Sequence, residues 1–306
     1  MKLEGIHHIT AITGDAQNNV DFYAGTLGLR MVKKTVNQDQ PSVYHLFYAD
    51  EAGSPGADLT FFEFPGARRG RAGAGMLHRI VWRVGSTEAL GFWSERLADT
   101  GFESSREGDS LRFADPEGLE HELLVATVSD QPLIADHPEV PGELALQGFH
   151  AARAYSRDPD RSRGLLESLA FEDRGAEGWE ARGDSRGGLW HYDEPPAEPG
   201  IEGGGTVHHI AWASEMDEHL DWRQRAIDGG ARPTPVIDRF WFRSIYFREP
   251  SGVLFEIATL GPGFDVDEDP EHLGEKLILP PFLEQHRDEI EAVLTPITNP
   301  RTTART

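Results

Sequence analysis

The residues best suited to chemistry in this 306-residue chain are histidines that recur in one pattern. The pattern is a small or apolar lead-in, a histidine, then alternating apolar residues. Its four copies, about 60–70 residues apart, are Gly5-Ile6-His7-His8-Ile9-Thr10, Met76-Leu77-His78-Arg79-Ile80-Val81, Gly148-Phe149-His150-Ala151-Ala152-Arg153 and Thr206-Val207-His208-His209-Ile210-Ala211. Aligned on the first histidine, the next position reads His8, Arg79, Ala151 and His209, so only the outer copies carry a second imidazole. The last unit also holds an acid, Glu256, six residues after Pro250 of the turn Glu249-Pro250-Ser251-Gly252. Buried beside Val253, Leu254, Phe255 and Ile257, an ionised Glu256 costs several kcal/mol unless it has a partner, and a metal is such a partner. Two imidazoles and one carboxylate on one octahedral face leave positions open for substrate and O2 together, as non-haem Fe(II) oxygenases require. His78 and His150 read as surface or satisfied core residues.

There are no cysteines. That excludes disulfides, thiolate zinc sites, Fe–S clusters and cysteine nucleophiles. The remaining His, Asp and Glu ligands suit Fe(II), Mn(II), Zn(II), Ni(II) or Co(II).

Each histidine segment alternates with a period of two and reads as a strand. A helix-like stretch follows each: Val20, Phe22, Tyr23 and Leu27; Leu90, Phe92, Trp93 and Leu97; Leu165, Leu166 and Leu169; Leu220, Trp222 and Ile227. Glycine closes the first, second and fourth. Further strand signals come next, and in three units the last ends in an acid, Glu63, Glu122 or Glu256. The third unit offers Trp190-His191-Tyr192 and no such acid. The chain therefore reads as four βαβββ units of an α+β fold, paired into curved mixed sheets with helices outside and a concave face within. If the first and fourth units pair, His8, His209 and Glu256 converge. The expected division is 1–140 (units one and two), 141–262 (units three and four) and a tail, 263–306. In the tail, residues 264–275 read as an acidic loop, Phe282, Leu283, His286, Ile290, Val293 and Leu294 after Pro280-Pro281 as an amphipathic helix, and the polar stretch after Pro296 as frayed. Loops 64–76 and 174–205, rich in Gly, Arg and Pro, are hard to place.

Lys+Arg is 29 against Asp+Glu 52, a formal net charge of −23, and lysine occurs only at 2, 33, 34 and 276. Such a field repels nucleic acid and anionic membrane surfaces. It resembles the composition of salt-in halophiles, whose solvent screens self-repulsion. No apolar run is long enough for a membrane span, and the N-terminus lacks a signal-peptide layout, so a cytoplasmic location is expected. The oligomeric state stays open, a homo-oligomer being in keeping with sheet proteins of this type.

The repeat resembles the vicinal oxygen chelate superfamily of glyoxalase I, extradiol dioxygenases and bleomycin-resistance proteins. Within it, nearly the whole chain resembles ring-cleaving hydroquinone dioxygenases of the chlorohydroquinone 1,2-dioxygenase type. The carrying segments are Gly5–Asp15 (GIHHITAITGD), Asn18–Leu29 (NNVDFYAGTLGL), Leu59–Pro65 (LTFFEFP), Thr206–Trp212 (TVHHIAW), Asp238–Thr259 (DRFWFRSIYFREPSGVLFEIAT) and Leu279–Leu294 (LPPFLEQHRDEIEAVL). The resemblance implies Fe(II), or Mn(II), on His8, His209 and Glu256, with a small aromatic substrate and O2. It implies that Tyr246 contacts a substrate oxygen and that Arg239 belongs to the pocket, with Arg243 its rival from sequence alone. Thr10 lies two residues after His8, on the same strand face. His7 and His208 match pocket histidines, although strand alternation points them away from the metal. Two other readings stand beside this one. A glyoxalase-type lyase or isomerase would recruit Glu63 as a fourth ligand for Ni(II), Co(II) or Zn(II). A bleomycin-resistance-like protein would bind a ligand without metal.

Overall fold

A computed structural model describes residues 1–303 of the chain. It consists of four βαβββ units in sequence. The first holds β1 (Ile6–Thr13), α1 (Ala16–Val20), β2 (Arg30–Asn37), β3 (Gln40–Ala49) and β4 (Asp58–Glu63). The second holds β5 (Leu77–Val84), α2 (Thr87–Asp99), β6 (Ser104–Glu107), β7 (Ser110–Ala114) and β8 (Glu120–Val125). The third holds β9 (Phe149–Tyr155), α3 (Arg163–Ser168), β10 (Glu172–Asp173), β11 (Trp179–Arg182) and β12 (Gly187–Asp193). The fourth holds β13 (Val207–Ser214), α4 (His219–Asp228), β14 (Ile237–Asp238), β15 (Phe242–Arg248) and β16 (Leu254–Pro262). Among the described residues no helix is long and apolar enough to cross a membrane.

The strands form two eight-stranded mixed sheets, β14-β15-β16-β13-β1-β4-β3-β2 and β10-β11-β12-β9-β5-β8-β7-β6. Unit one therefore joins unit four, and unit two joins unit three, so each sheet draws on both halves of the chain. Within a unit the first and last strands run parallel, while the two units of a sheet meet through their first strands, antiparallel. A single unit cannot bury its sheet, and this pairing gives each sheet a face to cover. Trp190 of one sheet packs at 6.2 Å and 5.1 Å from Trp212 and Phe255 of the other. Five tryptophans, Trp82, Trp93, Trp190, Trp212 and Trp222, are fully buried in this shared core. Ser86 caps α2 by accepting from Ala89 N–H, and Leu90, Trp93 and Leu97 supply its buried face.

The antiparallel seams carry a feature that alternation alone does not reveal. Ile6 pairs with Trp212 and His8 with Ala211, leaving His7 as an extra residue on β1. Thr10 pairs with His209 and Ala11 with Val207, leaving His208 extra on β13. In the other sheet the same count leaves His78 and His150 extra. The recurrent histidine is thus the bulge residue of every unit, and a bulge re-aims the side chains around it.

The tail differs from the expected helix. Turns at Glu284–His286 lead into α5 (Arg287–Glu291), a helix of only 5 residues. Leu283, Ile290 and Leu294 dock, whereas Phe282 and Val293 stay exposed, so packing does not extend the apolar stripe into a longer helix. The stretch after Pro296, expected to fray, returns to the first unit. Thr298 N–H donates to Gln17 Oε1 at 2.7 Å and Gln17 Nε2 donates back to Thr298 O at 3.0 Å, ahead of α6 (Pro300–Thr303). The two loops hard to place from sequence pair with each other, through bridges Arg69 to Gly204 and Arg71 to Ile201.

Candidate metal centre

His8 on β1, His209 on β13 and Glu256 on β16 meet on one face of the first sheet. Their exposures are 1%, 4% and 0%. His8 Nε2 and His209 Nε2 lie 3.3 Å apart, and Glu256 Oε2 lies 3.2 Å and 2.9 Å from them. Neither Glu256 oxygen has a hydrogen-bond partner of acceptable geometry. Three donor atoms thus converge on a common point rather than on one another, and a cation fits there. Among the described residues this is the one group of three or more His, Asp or Glu within ligating reach. Burial pushes the Glu256 carboxyl up, while positive charge at the imidazole nitrogens facing it outweighs burial and holds the group well below its ordinary range.

The bulges place the neighbouring histidines beside the ligand pair, not on the far side as alternation implied. His7 Nδ1 is 2.9 Å from His8 Nδ1, and His208 Nδ1 is 2.8 Å from His209 Nδ1. His7 Nε2 lies 3.1 Å from the carbonyl of Thr259 and must donate to it. Its Nδ1 then accepts from His8 Nδ1–H, which leaves the His8 Nε2 lone pair facing Glu256. Such outer hydrogen bonds fix ligand tautomer and orientation. His7 is buried, Phe242 packs on it at 5.3 Å, and burial holds its imidazole down to about 3. His208 is exposed.

The cavity beside the cluster is lined by His8, Asn37, Gln38, Asp39, His45, Phe47, Phe62, His209, Arg239, Trp241, Phe242 and Tyr246. Tyr246 stands edge-on to His209 at 5.8 Å, and burial, then Glu256, pushes its phenol above the ordinary value. It therefore stays a hydrogen-bond donor. Arg239 Nε is 3.3 Å from Tyr246 Oη, and Arg239 Nη2 donates to Asp39 Oδ2 at 3.0 Å. Arg243 is exposed and does not line the cavity, so the geometry separates the two arginines that sequence left as rivals. Phe240, between Arg239 and Trp241, takes φ 74°, the left-handed region, steadied by Asp238 Oδ1 accepting its N–H at 2.8 Å. Thr10 Oγ1 lies 3.0 Å from His209 Nε2.

The register also bears on the fourth-ligand reading. Glu256 pairs with Ala211, two residues past His209, and Glu122 pairs with Val81, two past Arg79. The same offset from His8 is Thr10, and its partner is Thr60, not Glu63. Glu63 pairs with Thr13 three residues further along and is absent from the ligating group. In the second sheet Arg79 stands where His8 stands, with its guanidinium 2.7 Å from Glu120 and 3.4 Å from Glu122. An arginine there neutralises the acids internally.

Sequence reasoning missed His45 and Thr60. His45 sits on β3 with its ring between Phe47 at 4.0 Å and Phe62 at 4.4 Å. Neither residue belongs to the histidine-led strands, so the repeat could not flag them. The alternation of β3 about Val43 and Phe47 was the available signal.

Paired βαβββ units that gather two imidazoles and a carboxylate on one sheet face mark one class of β-sheet protein. Residues 5–123 match the family model "Glyoxalase/Bleomycin resistance protein/Dioxygenase superfamily". The chain belongs to that superfamily and, within it, to the ring-cleaving dioxygenases. It is 43% identical over 304 residues, 96% of this chain and 97% of its relative, to the "Putative ring-cleaving dioxygenase MhqO" of Bacillus subtilis. It is 34% identical over 309 residues, 94% of this chain and 95% of its relative, to the chlorohydroquinone/hydroquinone 1,2-dioxygenase of Sphingobium indicum. A crystal structure of a "putative dioxygenase" from Bacillus subtilis superposes with a TM-score of 0.90 at 40% identity, covering 97% of this chain and 98% of that one. Glyoxalase I from Zea mays shares the fold alone, with a TM-score of 0.57 at 13% identity, covering 83% of this chain and 92% of that one.

Proposed function

We propose that this ring-cleaving dioxygenase opens a hydroquinone- or catechol-type ring with O2, using Fe(II) held by His8, His209 and Glu256. The observation that carries the reading is the convergence of two imidazole nitrogens on a wholly buried carboxylate with no hydrogen-bond partner, at the end of an aromatic-lined cavity. Mn(II), Zn(II) and Ni(II) suit the same ligands. A bound Fe(II) supplies a redox centre with coordination positions left open for substrate and O2.

The chain's own residues do the rest. Phe62, Trp241 and Phe242 offer apolar faces to a flat ring and exclude water. Tyr246 donates a hydrogen bond from its phenol toward the ligand cluster, and Arg239 beside it stabilises negative charge that develops on a substrate oxygen. Thr10 directs its hydroxyl at the same point. His7 and His208 hold the ligand imidazoles in one tautomer. The cavity is narrow, about 40 Å³, against roughly 150 Å³ for a space that takes up benzene. A ring therefore enters only as lining side chains move apart.

The test is protein purified without air and without a metal-binding tag. One bound iron per chain and O2 uptake with loss of hydroquinone or catechol are expected. No O2 uptake by the Fe(II)-loaded protein across a panel of both substrate types overturns the reading.

A further inference from the structure

His45 is the one imidazole lining the cavity that the ligand cluster and its supports do not use. It rests on the third strand of the first unit. Strand β3 lies two strand spacings from β1, about 10 Å between backbones, so His45 faces the cluster from the far side of the cavity. A chain of hydrogen bonds joins them. His45 Nε2 is 2.9 Å from Thr60 Oγ1, Thr60 Oγ1 donates to Thr10 Oγ1 at 2.8 Å, and Thr10 Oγ1 is 3.0 Å from His209 Nε2.

Each hydroxyl has one proton, so the chain runs one way. Thr60 spends its proton on Thr10 and must accept from His45 Nε2–H. That assignment makes His45 the Nε2–H tautomer, with a lone pair on Nδ1. Nδ1 has no partner among the described residues and is not sealed from solvent. Phe47 and Phe62 clamp the ring on its two sides and hold it in place. Burial, followed by His8 and His209, holds the imidazole well below its ordinary value, so it stays neutral and keeps the lone pair. Among the other polar lining groups, Gln38 Nε2 donates to the carbonyl of Arg239, and Arg239 bridges Asp39 and Tyr246.

We propose that His45 is a specificity-determining residue whose Nδ1 accepts a hydrogen bond from the second, distal hydroxyl of a dihydroxybenzene whose first oxygen lies at the metal cluster. Thr60 is a positioning residue that fixes the accepting tautomer. This rests on the ring-cleavage reading and deepens it. The site selects a ring with hydroxyls at opposite ends and discriminates against one whose distal oxygen has no proton to donate.

Hydroquinone and 4-methoxyphenol separate these cases, since only the first can donate from its distal oxygen. Their affinities are measured by anaerobic calorimetry on the iron-loaded protein, so turnover is not needed. The unaltered protein prefers hydroquinone by on the order of 10–100-fold, the scale of one buried hydrogen bond to a polar partner. His45→Phe binds the two with equal affinity while keeping its iron content. His45→Asn, which retains an acceptor, keeps part of the preference. Thr60→Val, which leaves the imidazole in place but frees its tautomer, reduces the preference severalfold and carries the test should His45→Phe not fold. Unchanged preference in His45→Phe, or in Thr60→Val where His45→Phe is unfolded, overturns the proposal. So does equal binding of the two phenols by an unaltered protein that still opens the hydroquinone ring. If the unaltered protein binds neither phenol and consumes no O2, the ring-cleavage reading itself falls.

Discussion

A carboxylate with no exposed surface and no hydrogen-bond partner is costly, and Glu256 is such a group. A cation bound there would reverse that cost and so couple metal binding to folding at this residue. If Fe(II) binds as proposed, it is expected to raise Tm, and Glu256→Gln to abolish that rise and leave less than a tenth of the bound iron, read by calorimetry and metal analysis. Glu63 offers a contrast. Burial, with Asp15 adding to it, pushes this carboxyl from 4.5 up to about 7. The folded chain keeps that proton after the unfolded chain has lost it, so stability falls as pH rises from 4.5 to about 7. Below 4.5 both states are protonated and the penalty vanishes. Glu63→Gln is expected to raise stability on the order of 1–3 kcal/mol at pH 8 and not at pH 4, as urea unfolding at the two pH values will show. Equal effects at both would mean that Glu63 is not a proton-retaining group.

At the scale of elements, the bulges and the tail decide how the site is held. Without the extra residue at His7, β1 would present His7 and His8 to opposite faces, and the Nδ1 contact between them could not form. The tail straps the cavity wall from outside. Lys33 on β2, fully buried, donates to Asp267 Oδ1 at 2.8 Å, to the Phe264 carbonyl at 3.1 Å and to Glu268. Asp267 in turn accepts from Trp241 Nε1 at 3.1 Å and 3.0 Å, and Trp241 lines the cavity. Lys34 extends the clasp through Glu275 O at 3.3 Å. Two of the chain's four lysines are thus spent on holding the acidic tail. Lys33→Met leaves two half-buried acids, Asp267 and Glu268, close together without a cation. It is expected to cost about 2–4 kcal/mol in urea unfolding while iron content is unchanged, since no metal ligand is touched. A loss below 0.5 kcal/mol, on the order of a surface substitution, would show that the clasp contributes nothing.

For the whole molecule, a formal charge of −23 sets the dependence on salt. Self-repulsion between surface acids is screened over roughly 10 Å at 0.1 M and roughly 3 Å at 1 M. Tm is expected to rise between 0.1 M and 1 M KCl, and a fall or no change would count against a surface adapted to concentrated salt. The two-sheet architecture was legible because the histidine segments recur and each is followed by a helix and strands. The pairing of unit one with unit four was legible only as a condition for the ligands to meet. The tail helix from Phe282 to Leu294 forms only over Glu284–Glu291, because periodicity records an apolar stripe and not whether a surface exists to receive it. Glu63 was read as a ligand candidate because it ends a strand like Glu256, and counting from the turn cannot detect an offset of three residues in pairing.

The features readable along the chain are local: residue types, the period of each segment, and the contrast of His8 and His209 with Arg79 and Ala151. Those suffice to single out His8, His209 and Glu256 as candidate ligands, because the repeat supplies its own comparison positions. Register emerges only when the strands are paired. The bulges at His7 and His208, Thr60 in place of a fourth carboxylate, Arg239 rather than Arg243 at the cavity, and His45 facing the cluster all depend on which residues lie opposite one another across strands. Hydrogen bonds between strands join residues far apart in the chain, and no spacing within a segment encodes them.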